Sequence, residues 1–209
     1  MLNQKAFFKL SYGLYVISSC HNGKNAGCVV NTFAQVTAEP ARVTVAVNKE
    51  NFTTGVIQKA GRFEAVALAQ SASMELIGMF GFHTSADTDK FKGFKTQTDQ
   101  KGIPYICEQV TARFQCRVID QMDAGTHLIF LAEVEEAEVL SNEESMTYAY
   151  YHQVKKGLTP PKASSYQPKA AKGFRCKICG YVLEAEELPE GFTCPICGRS
   201  AEFFEKITD

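Results

Sequence analysis

The strongest chemical signal in the 209-residue chain lies in four cysteines near its C-terminus. Cys176-Lys177-Ile178-Cys179-Gly180 and Cys194-Pro195-Ile196-Cys197-Gly198 are two Cys-x-x-Cys-Gly turns, with 14 residues between Cys179 and Cys194. One such turn aims two thiolates at a common point, and two turns complete a tetrahedron around a single ion. The glycine after each second cysteine tolerates positive φ, in a turn that can point backbone N–H groups at sulfur. Two disulfides would use the same residues, but a cytoplasmic chain, as this one is expected to be, keeps its thiols reduced. The segment 173–209 has only 37 residues, too few for a self-sufficient core, so a metal staple is expected. Four thiolates suit either zinc or iron, and spacing alone does not decide between them.

A second set of polar residues is spread along the rest of the chain. Asn31-Thr32-Phe33-Ala34-Gln35-Val36-Thr37 carries amides and hydroxyls beside a strand. Asn51-Phe52-Thr53-Thr54 opens a helix, where free N–H groups and the helix dipole favour a phosphate. Lys90 is a candidate phosphate partner, and Gly125-Thr126-His127 stands at the mouth of an apolar strand. Each has a bland reading: Asn51 as a helix cap, Lys90 as a solvated charge, His127 as a satisfied core group. No Gly-x-Gly-x-x-Gly and no Gly-x-x-x-x-Gly-Lys-Ser/Thr occurs, so a nucleotide or flavin would have to be held by another route.

The elements that must position these residues are mostly strands. Tyr12 to Ser19 is rich in aromatic and β-branched types, Asn22 to Gly27 supplies a turn, and Cys28-Val29-Val30 returns. Val43, Val45 and Val47 alternate on one face. Val110, Ala112, Phe114, Cys116 and Val118 alternate with Thr111, Arg113, Gln115 and Arg117, which predicts one wet face. Leu128 to Ala132 reads as a strand buried on both faces. Helices are expected from Phe52 to Ala60, ended by Gly61, and from Ser73 to Phe80. There is no regular βαβ alternation, so the pattern predicts a mainly β barrel with peripheral helices. Cys20 and Cys28 flank the first turn and read as small buried hydrophobes rather than a redox pair.

Charge and composition divide the chain. Residues 1–172 hold 18 Lys/Arg against 16 Asp/Glu, a balance of +2; residues 173–209 hold 4 against 7, a balance of −3. Between them, Thr159 to Lys172 contains Pro160, Pro161 and Pro168 among Ser, Ala and Lys, a composition that favours an extended tether. The expected organisation is a barrel over 1–158, a linker over 159–172 and a metal domain over 173–209. With 45% apolar and 22% charged residues the chain is of globular composition. A net charge of −1 removes the footprint of a nucleic-acid binder. No run approaches 18 apolar residues, so no spanning helix and no membrane partner are expected. Ile17-Ser18-Ser19-Cys20 loosely matches a lipoprotein cleavage box, but Ser11, Tyr12 and Gly13 interrupt the required apolar run; an N-terminal strand in a cytoplasmic protein is the better account.

Read in order, Asn31-Thr32, Gln35-Val36-Thr37, Pro40, Asn51-Phe52-Thr53, Phe80-Gly81-Phe82, Asp89-Lys90-Phe91, Gly125-Thr126-His127 and Met146 to His152 resemble the flavin reductase-like, FMN-binding split-barrel family, in its flavoredoxin branch. The resemblance covers nearly all of residues 5–158. It implies a homodimer with FMN near the subunit interface, contacted by Asn31, Thr32, Gln35, Val36 and Thr37, by Asn51 and by Tyr150. Thr53, Thr54 and Lys90 would take its phosphate side, and His127 would stand near the isoalloxazine or the nicotinamide as the catalytic candidate. One departure bears on the phosphate: relatives often read Ser-Gly-Arg-Asp where this chain has Thr84-Ser85-Ala86-Asp87, so a charge partner is missing at Ala86.

Around the cysteines, Phe174-Arg175, Tyr181, Pro189-Glu190, Pro195 and Phe203-Phe204-Glu205 resemble a rubredoxin domain, and the short segment between the turns is closer to the compact form at the end of rubrerythrins than to a free-standing rubredoxin. That resemblance implies one iron held by Cys176, Cys179, Cys194 and Cys197, with zinc as a common substitute. The two parts together resemble the high-molecular-weight rubredoxins. The implied activity is electron transfer from NAD(P)H through FMN to the iron and on to an acceptor such as a flavodiiron protein that reduces oxygen or nitric oxide. Two alternatives use the same residues: a flavin reductase that releases reduced flavin and carries a zinc clip, and a non-enzymatic FMN and zinc-ribbon docking protein.

Overall fold

Strands form where the apolar alternation requires them. In the computed structural model, which describes residues 2–161, 163–165 and 172–207, β1 (Tyr15–His21) turns through Asn22-Gly23 into β2 (Lys24–Val30). Then come β3 (Ala34–Thr37), β4 (Arg42–Asn48), α1 (Phe52–Ala60), β5 (Arg62–Leu68), α2 (Met74–Phe82), β6 (Thr96–Thr98) and β7 (Pro104–Ile106). A long hairpin, β8 (Val110–Asp123) and β9 (His127–Val139), and the short α3 (Tyr148–Gln153) complete the large unit. One seven-stranded antiparallel sheet runs β2-β1-β5-β8-β9-β4-β3 and curls so that β2 approaches β4 without strand pairing. The opening is bridged by Thr32, whose hydroxyl donates to the Ala46 carbonyl at 2.7 Å while the Ala46 N–H donates back at 3.2 Å. This is the expected split barrel with peripheral helices.

Two apolar layers hold it. Inside the barrel, Ile17, Val43, Val45, Val47, Ile57, Phe63, Ala65, Cys116, Phe130 and Ala132 pack together, with the three valines on one face as their spacing predicts. Outside, Val16, Val66, Leu68, Leu76, Ile77 and Phe80 join the sheet to α2. β1 and β5 are therefore buried on both faces. The helices start and stop where their caps stand. Asn51 accepts the Thr53 N–H, Ser73 accepts the Leu76 N–H, and Gly61 closes α1 at a φ of 64° that a side chain would resist.

Two expectations need correction. The stretch Leu128 to Ala132 is not buried on both faces: Phe130 and Ala132 point inward, while Ile129 and Leu131 lie partly exposed on the opposite side, as the alternation of a strand with one core face dictates. The expected wet face of β8 is largely dry: the β6–β7 region covers Arg113 and Gln115, Thr111 is buried against Ser145, and Arg117 alone of the four stays partly exposed. Their polar groups are satisfied laterally. Arg113 grips the fully buried Glu64 with two hydrogen bonds of 2.9 and 2.8 Å, lies 4.4 Å from the Tyr105 ring centroid, and reaches Glu136 and Glu138 at 3.4 Å. Gln115 donates to Asp99 at 2.6 Å.

Burial pushes Glu64 up to about 7, against the pull of Arg113 and with help from the neighbouring Asp99 carboxylate. Its folded value thus lies above its unfolded one, so its stabilising contribution is complete at low pH and is lost as pH rises through about 7. In urea titrations at pH 5 and pH 8, the stability difference between wild type and Glu64→Gln should fall with rising pH. A difference that stays constant or grows would refute this assignment.

The C-terminal unit is a three-stranded sheet in the order β11-β10-β12, built from β10 (Gly173–Cys176), β11 (Val182–Leu183) and β12 (Phe204–Ile207). Of the expected linker, Lys162 and residues 166–171 lie outside the described residues. Its first part is tied to the barrel: the Tyr148 hydroxyl bonds the Thr159 hydroxyl at 2.6 Å, the Ser165 hydroxyl donates to Tyr148 at 3.0 Å, and the Asn31 amide donates to Ser165 at 3.0 Å.

Candidate functional site

Cys176, Cys179, Cys194 and Cys197 are all buried, and their sulfurs lie within 4.8 Å of one another. Two tight turns create this geometry. The Gly180 N–H donates to the Cys176 carbonyl and the Gly198 N–H to the Cys194 carbonyl, each at 2.9 Å, with φ of 78° and 69° at the glycines. Sulfur also receives N–H groups, as the glycine turns predict. The Cys176 thiol is drawn down to about 5, chiefly by its contact with Cys179 and then by the N–H groups of Cys179 and Ile178. Tyr181 and Arg199 offer theirs to Cys179 and Cys197. Contact with Cys176 and burial push Cys179 the other way, and burial and the neighbouring sulfurs do the same to Cys197, so the sulfurs share their charge unequally. Four buried, clustered sulfurs with N–H donors around them are the donor set of a thiolate-bound iron or zinc. The residues fit the ion.

A cavity of about 400 Å³ opens beside this centre, within the usual range for a small-molecule site. Its wall runs from Asn31, Thr32, Asn48 and Asn51 on the barrel, past Phe82, His83 and His127, to Tyr148 and Tyr151, and ends on Lys177, Ile178 and Arg199 of the metal-binding turns. Pro160, Ala163 and Ser164 of the linker cover part of it. Phe82, at the end of α2, packs directly on the four cysteines together with Ile178. The cavity and the metal centre thus share a wall. Amides, hydroxyls, aromatic rings and apolar side chains converge there, which fits a flavin.

Each expected residue can now be placed. Asn31, Thr32, Asn51 and His127 line the cavity. His127 is kept neutral by partial burial, and its Nδ1 bonds the Thr126 hydroxyl at 2.9 Å. Thr53 and Thr54 do not reach the cavity: Thr53 is fully buried beside the Cys28 thiol, and the Thr54 hydroxyl donates to the Asn48 carbonyl at 2.6 Å. Lys90 does not reach it either. Its ammonium is buried and donates to the carbonyls of Gly27 at 2.8 Å and Phe80 at 3.2 Å, and burial pushes it down to about 8. It joins α2 to β2, a role set by sequence neighbours too distant to be read from the lysine alone. Gln35, Val36 and Thr37 sit on the exposed edge strand β3, where the Thr37 hydroxyl donates to the Pro40 carbonyl at 2.6 Å. Tyr150 packs at the margin of the outer apolar layer, and its neighbours Tyr148 and Tyr151 face the cavity instead. His83, Lys177 and Arg199 line the cavity and were not anticipated. The last two belong to another sequence segment, and only the packing of the metal domain brings them there.

Comparison with known proteins identifies both parts of the chain. The flavin reductase like domain model matches residues 7–159, and the rubrerythrin, rubredoxin-like domain model matches residues 174–205. The chain belongs to the flavin reductase-like family and carries a C-terminal rubredoxin-like domain. It is 37% identical to the high molecular weight rubredoxin of Moorella thermoacetica, over 88% of this chain and 83% of that protein. It is 39% identical to a ferric-chelate reductase (NAD(P)H) of Archaeoglobus fulgidus, over 79% of this chain and 98% of the relative. A putative diflavin flavoprotein of Nostoc is 27% identical over 72% of this chain, which corresponds to 26% of that longer protein. Among solved structures, the flavoredoxin of Methanosarcina acetivorans shares the fold, with a TM-score of 0.57, 22% identity, and coverage of 62% of this chain and 69% of that one. The fold and the domain pairing define a protein of flavin-mediated electron transfer.

Proposed function

We propose that the chain is an NAD(P)H-dependent oxidoreductase that passes electrons from the dinucleotide through FMN to a mononuclear iron and then to a separate acceptor protein. FMN, when bound, accepts a hydride as two electrons, and an iron held by four thiolates exchanges one at a time. The observation that carries this reading is the shared wall: Ile178, between two metal ligands, lines the same cavity as Asn31, Thr32 and His127. The chain's own residues do the positioning. Asn31 and Thr32 make that stretch of the wall polar while bonded to Ser164, Ser165 and Ala46, and Tyr148 and Tyr151 supply aromatic surface. His127, held neutral, presents an uncharged imidazole to the nicotinamide or the isoalloxazine.

The exposed strand β3, with Val36 at 52% exposure, supports a homodimer in which a second copy covers that edge and receives Gln35, Val36 and Thr37 at its own flavin. The acceptor we assign is a flavodiiron protein. The diflavin flavoproteins, larger chains that include a region similar to this barrel, support pairing with a flavoprotein partner. Anaerobic stopped-flow mixing of the FMN- and iron-loaded chain with NADH, and separately NADPH, tests the order. The flavin absorbance should bleach first and the iron–thiolate absorbance second. Iron reduced ahead of flavin, or left oxidised during turnover, would refute the reading.

A further inference from the structure

A ligand with a phosphate in the cavity needs a cation, and among the described residues the barrel offers none. Lys90 is spent on two carbonyls. Burial lowers the pKa of His83 and of His127, which disfavours a charge on either ring. Glu50, also on the wall, adds an unfavourable charge. The helix start at Asn51 is closed by its own cap, since the Asn51 side chain takes the Thr53 N–H. The two side chains of fixed positive charge on the wall are Lys177 and Arg199, one from each metal-binding turn.

Their backbones are hydrogen-bonded, while among the described residues neither head takes part in a side-chain hydrogen bond or ion pair. The Lys177 N–H donates to the Phe203 carbonyl, and the Arg199 carbonyl accepts from the Cys194 N–H, each at 2.8 Å. The Arg199 guanidinium lies 5.3 Å from the Phe203 ring centroid, and its Nε is buried without a hydrogen-bond partner. A buried donor left unsatisfied is costly, and a phosphate oxygen is the acceptor that best answers a guanidinium. We propose that Lys177 and Arg199 form the phosphate-binding side of the barrel's cavity, so that the metal domain completes the site for a phosphorylated flavin or dinucleotide. This rests on the reading of the cavity as a flavin site. It makes docking of the metal domain and retention of the cofactor one coupled event.

The test uses the full iron-loaded chain and the double variant Lys177→Gln/Arg199→Gln, with fluorescence titrations of FMN, riboflavin and NAD⁺. Iron–thiolate absorbance checks that the turns remain folded, and Lys177→Arg/Arg199→Lys tests rescue by charge. For the wild type, FMN should bind tighter than riboflavin. The double variant should lose about tenfold or more of that preference while riboflavin affinity holds. If the flavin preference is unchanged but NAD⁺ binds about tenfold more weakly, the pair reads the dinucleotide's phosphates, which also supports the proposal. Unchanged binding of all three ligands, or equal loss for FMN and riboflavin, overturns it. A wild type that binds no flavin refutes the flavin reading instead, and the NAD⁺ titration then decides for or against the pair.

Discussion

Cys179→Ser should abolish stable iron binding and unfold the C-terminal unit while the barrel keeps its own transition. The apolar cluster of this unit consists of the four cysteines, with Ile178, Tyr181 and Phe204 partly buried around them and Phe82 lent by the barrel. Its strands span only two to four residues each. With so small an apolar core around the cysteines, the unit depends on the metal bond for folding free energy, which for structural thiolate sites is on the order of 10 kcal/mol. A serine oxygen is a poor ligand for a soft thiolate site, so iron affinity should fall by more than about 100-fold. Iron-to-protein ratio, visible absorbance and limited proteolysis past residue 172 report the loss. The barrel's far-ultraviolet signal should persist. FMN should bind more weakly, because unfolding removes Lys177 and Arg199 from the wall. Full iron occupancy in this variant, or a protease-resistant tail without metal, would refute the assignment.

What the sequence reveals and what it hides follow from distance along the chain. The metal site is local: two turns of five residues carry ligands and glycines alike, so spacing alone predicts sulfurs that meet, as they do within 4.8 Å. The helices at Phe52–Ala60 and Met74–Phe82 are local too, set by their Asn51 and Ser73 caps. Lys90 is the opposite case. A lysine beside Asp89 reads as solvated or anion-binding, and only the approach of Gly27 and Phe80, 63 and 10 residues away, turns it into an internal tie. The approach is tight at Gly27, where a Cβ would come within 2.8 Å of the Phe80 ring. The dry face of β8 was hidden for the same reason. Arg113 and Gln115 alternate as solvent-facing residues do, and their cover comes from the β6–β7 region and from Glu64. Polar alternation marks one face as different from the other; it does not say that water is what meets it.

Removing the metal domain should uncouple hydride uptake from one-electron delivery. The cut belongs after Ser165 rather than just before Leu158, because Leu158, Thr159 and Ser165 hold side chains of the barrel's wall. Tyr151 donates to the Leu158 carbonyl at 3.0 Å, Tyr148 bonds Thr159, and Asn31 bonds Ser165. A cut after Gly157 would free both tyrosine hydroxyls and the Asn31 amide at the cavity, each a loss of about 1 kcal/mol, and would confuse a damaged pocket with a missing relay. The chain ending at Ser165 should retain NAD(P)H-driven reduction of added FMN, since Asn31, Thr32, Asn51 and His127 all remain. Transfer to a one-electron acceptor protein should fall to background, because the four sulfurs are gone. Its FMN affinity should match that of the Lys177→Gln/Arg199→Gln chain, since both lack the same two cations. The shortened chain still reducing the acceptor protein at the full rate would end the relay model. Retention of wild-type FMN affinity would instead leave the relay standing and remove the metal domain from the flavin site.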